Sequence, residues 1–478
     1  MMNIELEFLK SAFSFDNPFI DIKGVIEWVK KQNNQIDVDI SEILFDELSS
    51  WDFSNNKSSL VHETGSFFSI DGIRVNTNWG EVPSWDQPII NQHEIGYLGF
   101  ITKQFNGVLH FLVQAKVEPG NVNYVQLSPT LQATKSNYTR AHKGKSPSYL
   151  DYFINAKPNQ ILLDQLQSEQ GARFLRKRNR NIIITVDEDI VLEENFIWMT
   201  LAQIKELMKV DNLVNMDIRT VISGIPYGSY PGLQIDLISF LDNKNSANSF
   251  EYKVLKSMLE YNNAVNSLNS IINFVTKHKS KFNLTVDKIP LKELNDWNIT
   301  DSTIEHIDEK FFKIIAVDVN INNREVLNWT QPMVKPAQEG LCAFVCKEIN
   351  GLLHFAVQAK LECGNFDIIE FAPTVQCLTG NYRNSKSEEL PFLEYVLSAD
   401  KTKIMFDTLQ SEEGGRFYRE QNRNMIILGG DEISNDLPDN YIWMTLNQLK
   451  SFIKYNNYLN IQARSLLAAL CFKSNLDE

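Results

Sequence analysis

The stretch Phe111-Leu-Val-Gln-Ala-Lys-Val-Glu-Pro-Gly-Asn121 returns later in the chain as Phe355-Ala-Val-Gln-Ala-Lys-Leu-Glu-Cys-Gly-Asn365. Working outward, Ser128-Pro-Thr-Leu-Gln132 returns as Ala372-Pro-Thr-Val-Gln376, and Asn137-Tyr138 as Asn381-Tyr382. Leu166-Gln-Ser-Glu-Gln-Gly-Ala-Arg-Phe174 returns as Leu409-Gln-Ser-Glu-Glu-Gly-Gly-Arg-Phe417. Flanking matches extend the unit: Trp51 with Trp297, Phe67-Phe68 with Phe311-Phe312, Trp85-x-Gln-Pro88 with Trp329-x-Gln-Pro332, and Ile197-Trp-Met-Thr-Leu201 with Ile442-Trp-Met-Thr-Leu446. The order is kept throughout at a period of about 244 residues, too long for a solenoid and suited to a duplicated domain.

The join falls in residues 242–249, an Asn/Ser-rich segment without apolar periodicity, which divides the chain into units 1–243 and 250–478. A helical pattern follows over 251–279. Each unit reads helix first, strands in the middle and helix last. The spacing predicts helices over 20–31 and 271–279, and a strand over 107–118 behind a turn at Asn106-Gly107, repeated behind Asn350-Gly351. Further strands are expected over 124–127 and 181–186, and Ser146-Pro147 is expected to open a helix running to Phe153, with proline in its first turn. The fold class is therefore α+β, a tandem duplication of a mixed-sheet domain with flanking helices.

At 478 residues the chain exceeds the ~250–300 at which single cores stop growing, so two domains are the minimum. Hydrophobic residues at 43% and charged residues at 22% fit an ordinary globular protein rather than a disordered one. The net charge of −14 argues against a duplex nucleic-acid partner, whose phosphates need cations. No run approaches the ~18 apolar residues of a membrane span. Residues 1–10 carry Glu5 and Glu7 within their apolar stretch, unlike a signal peptide. The five cysteines, Cys342, Cys346, Cys363, Cys377 and Cys471, are odd in number and outside Cys-x-x-Cys pairs, so reduced cytoplasmic thiols are expected. Cys342 and Cys346 read as small buried strand residues rather than zinc ligands.

Strand alternation sorts the central motif. Leu109, Phe111, Val113, Ala115 and Val117 form an apolar face that must be core. His110, Gln114, Lys116 and Glu118 share the other face with Leu112, and His354, Gln358, Lys360 and Glu362 repeat the set. The plain alternative is a solvated face whose Lys–Glu pair adds little stability. Yet the polar residues keep identical spacing while apolar neighbours drift, Leu112 to Ala356 and Val117 to Leu361, which favours a pocket. The next strand adds Gln126 and Ser128, matched by Glu370 and Ala372, and ends at Thr130 and Thr374; Trp85 and Asn121 complete the binding candidates. Glu169 and Arg173, four apart, suit one helical face, and Glu412 and Arg416 keep the spacing; a surface ion pair explains them as well as a ligand site does. Gly171 and Gly414 in that motif point to a special backbone conformation.

Residues 137–145 are basic in an acidic chain, with Arg140, His142, Lys143 and Lys145 beside Tyr138, a group suited to a pyrophosphate and a base or to a solvated loop. The second copy keeps Tyr382 but turns acidic at Glu388-Glu389. There is no Gly-x-Gly-x-x-Gly behind a strand, no P-loop, no His-Glu-x-x-His or spaced Cys/His set, and no Gly-x-Ser-x-Gly elbow. No metal ligands are assigned.

Gln114-Ala-Lys-x-Glu-Pro-Gly-Asn-Val-Asn123, Gln126-Leu-Ser-Pro-Thr-x-Gln-Ala-Thr-x-Ser-Asn-Tyr138, Gln167-Ser-Glu-x-Gly-x-Arg-Phe174 and Trp329-Thr-Gln-Pro332 together resemble the NDP-hexose 2,3-dehydratase family. The resemblance covers nearly the whole chain, duplication included. It implies a lyase acting on dTDP-4-keto-6-deoxyglucose, which loses its C2 hydroxyl as water and becomes a 3,4-diketo-2,6-dideoxy sugar for a partner 3-ketoreductase. It also implies Nudix-like domains and a homodimer. A Nudix hydrolase would need Arg-Glu ahead of Glu-Glu-x-Gly on one helix to hold Mg²⁺. The second unit has Glu412-Glu413-Gly414-Gly415 without that Arg-Glu, and the first breaks the pair with Gln170.

With a ketone at C4, the C3 proton is acidic and the C2 hydroxyl is β to the carbonyl, so elimination needs a base, an acid and enolate stabilisation, and no redox cofactor. On this chemistry Glu118 is the expected base. Lys116, helped by Gln114 or Tyr138, is the expected partner of the enolate or leaving group, with Arg140 and His142 toward the pyrophosphate. Turnover is expected in the first unit, because Glu370 and Glu388-Glu389 repel a pyrophosphate in the second. Gln358, Lys360, Glu362, Glu370, Thr374, Tyr382 and Arg416 are then a second binding or structural pocket. The competing readings are a tandem nucleotide-sugar binding protein without turnover and a Mg²⁺-dependent hydrolase.

Overall fold

The computed structural model describes residues 3–54, 57–135, 146–228, 249–260, 262–322, 326–378 and 390–472. Tyr138, Arg140, His142, Lys143, Lys145, Tyr382, Glu388-Glu389 and residues 242–248 of the expected join lie outside the described residues.

Each half contributes a seven-stranded mixed sheet. In the first, Gly96–Phe105 pairs antiparallel with Val108–Val117 and parallel with Arg178–Thr185. In the second, Gly340–Ile349 does the same with Leu352–Lys360 and Gln421–Gly429. The hairpin turns have Asn106 and Gly107 at φ 51° and 77°, and Asn350 and Gly351 at 54° and 74°. Two successive left-handed residues make the turn whose twist matches its strands, which is why Asn-Gly occupies both. The apolar face of Val108–Val117 is core, as its alternation requires, with Phe111, Val113 and Val117 inside the main hydrophobic cluster. The opposite face begins as core too: Leu112 packs with Trp198 and Phe153, and His110 meets Phe105 edge-on.

Each half has five further strands, and here the halves exchange: each second sheet combines four strands of one half with one of the other. Val38–Ile43 pairs with Phe312–Ile321, Val38 opposite Ile321. Leu284–Ile289 pairs with Ser69–Thr77, Leu284 opposite Thr77. The two repeats of the sequence thus each complete the other's sheet. The main core likewise joins Phe8, Phe111 and Leu201 to Phe355, Leu446 and Leu466.

Two helices at the centre lock together. Lys205 donates to the carbonyls of Ala468 and Leu470 at 2.7 and 2.9 Å, at the end of the Ile461–Ala468 helix. Lys450 donates to Ser223 and Ile225, at the end of the Met216–Ser223 helix. Each lysine satisfies carbonyls that the other half's helix leaves open. Arg219 reaches Ser465 Oγ at 2.7 Å, and Arg464 reaches Ser168.

Several local expectations shift. The helix expected over 20–31 is Ile22–Asn34, with Asp21 accepting from the Gly24 amide at 2.7 Å. The pattern over 251–279 is two helices, Phe250–Leu259 and Leu268–Lys281, each capped by a serine, Ser249 and Ser267. Pro147 does not open a helix; the chain turns through a left-handed Tyr149 before Leu150–Ile154. Glu169 and Arg173 are not on a helix either. They flank a turn between Ile161–Ser168 and Arg178–Thr185, in which the amides of Arg173 and Phe174 both donate to Gln170 O at 3.0 and 2.9 Å. Gly171 and Gly414 serve close approach rather than unusual φ: a Cβ on them would lie 2.0 Å from Asn365 Oδ1 and 2.2 Å from Asn121 Oδ1.

Candidate active site

A cavity of about 370 Å³ opens where the end of the first-half sheet meets the second half. Lys116 and Glu118 form its floor with Gln132, while Trp51 comes from the exchanged sheet and Phe67 and Phe68 from the loop that joins its strands Ser59–His62 and Ser69–Thr77. Lys177, Asn179 and Asp217 approach from one side, and Trp329, Gln331, Glu413 and Arg416 arrive from the other half.

Period-two alternation brings Lys116 and Glu118 to the same side, and their charges sit 3.8 Å apart. Gln132 ties the pair together. Its Nε2 donates to Glu118 Oε1 at 2.7 Å, its carbonyl accepts from Lys116 Nζ at 3.5 Å, and its Oε1 accepts from Ser128 Oγ at 3.1 Å. This network holds a buried carboxylate in one orientation beside a cation.

The surrounding groups are electrostatically coupled. The Arg416 guanidinium stacks on Phe68, 4.2 Å from the ring centre. Burial raises Glu413, with Arg416 as the main opposing influence and Glu118 adding to the rise. Burial pushes Lys177 down to about 8, against the pull of Glu169 and Glu413; its Nζ bonds the Glu94 carbonyl. Glu169, behind the wall, accepts from Asn179 Nδ2 at 2.8 Å and is raised to about 7 by burial and then by Glu413. Asp217 is raised well above the carboxylate range, first by burial and then by Glu413, Glu118 and Glu169. Such a set can take a proton, give one, and hold an anionic intermediate.

The structure keeps Lys116 with Glu118 and separates them from several other candidates. Trp85 donates to Gln87 Oε1 at 2.9 Å and packs on the cluster around Cys363, at the twin constellation of the second repeat. Arg173 stacks on Phe312 at 4.1 Å, also on that side. The reason is a crossed docking. The Gly120 amide donates to Gly414 O, and the Gly364 amide to Gly171 O, both at 2.7 Å. Each Glu-x-Gly-x-Arg turn is thereby set against the strand end of the opposite half. Arg416, expected in the second pocket, belongs to the first.

Other candidates hold the frame. Thr130 bonds Leu112 O and accepts from the Ile101 amide at 3.0 Å, pinning two strands, and Thr374 does the same for Ala356 and Val345. Asn121 donates to Tyr124 O at 2.9 Å within its loop. Gln126 links Asn123 at 3.0 Å to Ser411 at 2.8 Å across the halves. Gln114 is half-buried and not among the cavity residues.

The twin constellation repeats the core geometry. Gln376 Nε2 donates to Glu362 Oε1 at 2.7 Å, and Lys360 donates to Gln376 O at 3.3 Å. Gln358 is buried beside them, its Oε1 without a hydrogen-bond partner among the described residues. Glu370, raised to about 7 by burial, accepts from Ser168 Oγ at 3.1 Å. The differences lie around it. Lys177, Asp217 and Glu413 correspond to Glu420, Gln462 and Gln170. These three were not singled out as site residues from the sequence; their signal was polar mismatch inside otherwise matching copies.

Among the described residues no three His, Cys, Asp or Glu side chains gather as metal ligands, and no helix is long and apolar enough to cross a membrane. Comparison with known proteins matches the family profile described as NDP-hexose 2,3-dehydratase twice, over residues 22–225 and 268–470. The dTDP-4-dehydro-6-deoxy-alpha-D-glucopyranose 2,3-dehydratase of Saccharopolyspora spinosa is 43% identical over 97% of this chain and 94% of its own. Enzymes of the same description from Amycolatopsis orientalis and Streptomyces violaceoruber are 38% and 39% identical, over 96% and 94% of this chain and 92% and 97% of theirs.

Proposed function

The chain belongs to the NDP-hexose 2,3-dehydratase family, and we propose that the Lys116–Glu118 cavity is where it removes water from dTDP-4-dehydro-6-deoxyglucose. The observation that carries this reading is the buried Glu118 carboxylate, oriented by Gln132 at 2.7 Å and set 3.8 Å from Lys116.

In this reading Glu118 takes the C3 proton, which the C4 ketone acidifies. Charge then develops on the C4 oxygen, and Lys116 stabilises it; one such preplaced donor is worth about 3 kcal/mol. Expulsion of the C2 hydroxyl leaves a 2,3-enol, which becomes the 3,4-diketo-2,6-dideoxy sugar on protonation at C2. No redox step occurs. Arg416 adds positive charge from the second repeat, and Arg140 and His142 are proposed for the pyrophosphate. Turnover is assigned to this cavity, and the Lys360–Glu362 constellation to a second binding or structural role.

The vicinal diketone is reactive, so a 3-ketoreductase is the proposed next enzyme. The family resemblance supports Nudix-like domains and a homodimer, and five free cysteines support a reducing, cytoplasmic setting. Metal-dependent hydrolysis has less support, because Glu412 and Glu413 sit on a turn and not along a helix. The test is to incubate chelator-treated protein with the 4-keto sugar nucleotide and a 3-ketoreductase, then measure mass. Loss of one water is expected. A strict need for Mg²⁺ or NAD, or release of a sugar phosphate, would refute the reading.

A further inference from the structure

Of the carboxyl groups on the cavity wall, Glu118 is held by Gln132 and Glu413 has Arg416 as its counter-charge. Asp217 differs from both. It is 4% exposed, yet its Oδ2 has no hydrogen-bond partner among the described residues. It lies in the first turn of the Met216–Ser223 helix, capped by Asn215, whose Oδ1 accepts from the Ile218 amide at 2.9 Å. The matching helix of the second repeat is capped the same way by Asn460 and carries Gln462 in this place. The second repeat thus buries there an uncharged side chain one methylene longer, with neither of its polar atoms hydrogen-bonded among the described residues. For Asp217 to be uncharged it must hold a proton. Burial and three carboxylates push it that way, and Lys116 opposes them. The helix N-terminus favours the ionised form, and burial with three neighbouring carboxylates acts against it.

We propose that Asp217 is the acid that protonates the departing C2 hydroxyl. The assignment rests on the reading that this cavity eliminates water from a 4-keto sugar. Glu118 takes the C3 proton, and the C3–H electrons pass to the C4 oxygen as an enolate; these electrons then form the C2=C3 bond and restore the C4 carbonyl as the C2–O bond breaks, and the carboxyl proton of Asp217 completes the water. Ketonisation then returns both groups to their starting state. The proton on Glu118 goes to C2, and the proton of the C3 enol hydroxyl goes to the Asp217 carboxylate.

The test compares wild type, Asp217→Asn and Asp217→Gln in deuterated water, on the 4-keto sugar nucleotide and on its 2-deoxy-2-fluoro analogue. Fluoride departs without needing a proton. Both variants should lose about 10²–10⁴-fold in water release. They should still bind dTDP, exchange the C3 hydrogen, and release fluoride within about threefold of wild type. Loss of C3 exchange or of fluoride release along with water release would overturn the acid role and make Asp217 a base or a positioning residue. Undiminished water release would overturn it as well. Wild-type protein that fails to release water would instead refute the reaction assigned to the cavity.

Discussion

The amide of Gly120 donates to the carbonyl of Gly414 at 2.7 Å, so the loop after the Lys116–Glu118 strand and the turn that presents Glu413 and Arg416 touch backbone to backbone. The Arg419 amide returns the contact to Gly120 O at 2.7 Å. A Cβ on Gly120 would stand 1.7 Å from Phe417 O.

Gly120→Ala should therefore force the two halves apart at the cavity. Because the obstacle is backbone, the cost should be at least about 3 kcal/mol, at the upper end for overpacking. Turnover should fall with it, since Glu118 lies two residues upstream. Gly364→Ala meets Phe174 O at 1.9 Å and should destabilise comparably while sparing more of the activity per folded molecule. Thermal unfolding beside single-turnover assays checks this; an unchanged melting temperature for Gly120→Ala would refute it.

Glu118→Gln should abolish water loss, by about 10²–10⁴-fold, and leave nucleotide binding in place. Glu362→Gln, the same change in the twin constellation, should leave most turnover intact. Steady-state kinetics and dTDP titration separate the two, and the reverse pattern would move the active site to the second repeat.

Arg416→Lys should reduce kcat/KM by about tenfold or more, because lysine cannot reproduce a planar cation stacked on Phe68. Arg173→Lys should stay within about twofold of wild type, although Arg173 shares its repeat with Lys116 and Glu118. Equal losses from both would argue against the crossed supply of arginines.

Glu370 gives a pH signature. Burial raises its folded pKa from the usual 4.5 to about 7, so the folded protein keeps a proton that the unfolded chain releases. Its contribution is intact below pH 4.5 and is lost as pH rises toward 7. Glu370→Gln, which installs the residue found at 126, should be neutral near pH 4 and stabilising by about 1–3 kcal/mol at pH 8. Urea titrations at the two pH values check it; a gain at pH 4 alone would have the wrong sign.

The duplication, the central strand and the Asn-Gly hairpins were legible because each depends on short-range pattern: order of motifs, period two, and a turn only left-handed residues make. The Lys116–Glu118 pair was legible for the same reason. What supplies the rest of the cavity was not. Arg416 and Arg173 sit in the same Gln-Ser-Glu-x-Gly-x-Arg-Phe motif, and only the crossed docking decides which faces Lys116. The i,i+4 spacing of Glu169 and Arg173 suits a helix and equally a turn; the chain makes a turn there, with Gly171 close against Asn365. Strand 38–43 carries no mark that says whose sheet it joins.

Strand Val38–Ile43 goes to the second half as Leu284–Ile289 goes to the first, and Lys205 caps one helix as Lys450 caps its twin. A contact in which each side presents the same patch to the other is isologous, the type two copies of one subunit make about a two-fold axis. This chain is in effect such a dimer with its subunits joined end to end. A homodimer of single repeats would bind both sites to one sequence, so that Asp217 and Gln462 would have to be the same residue. Joining the copies released that constraint, and one wall could gain its charges while the other lost them under an unchanged interface.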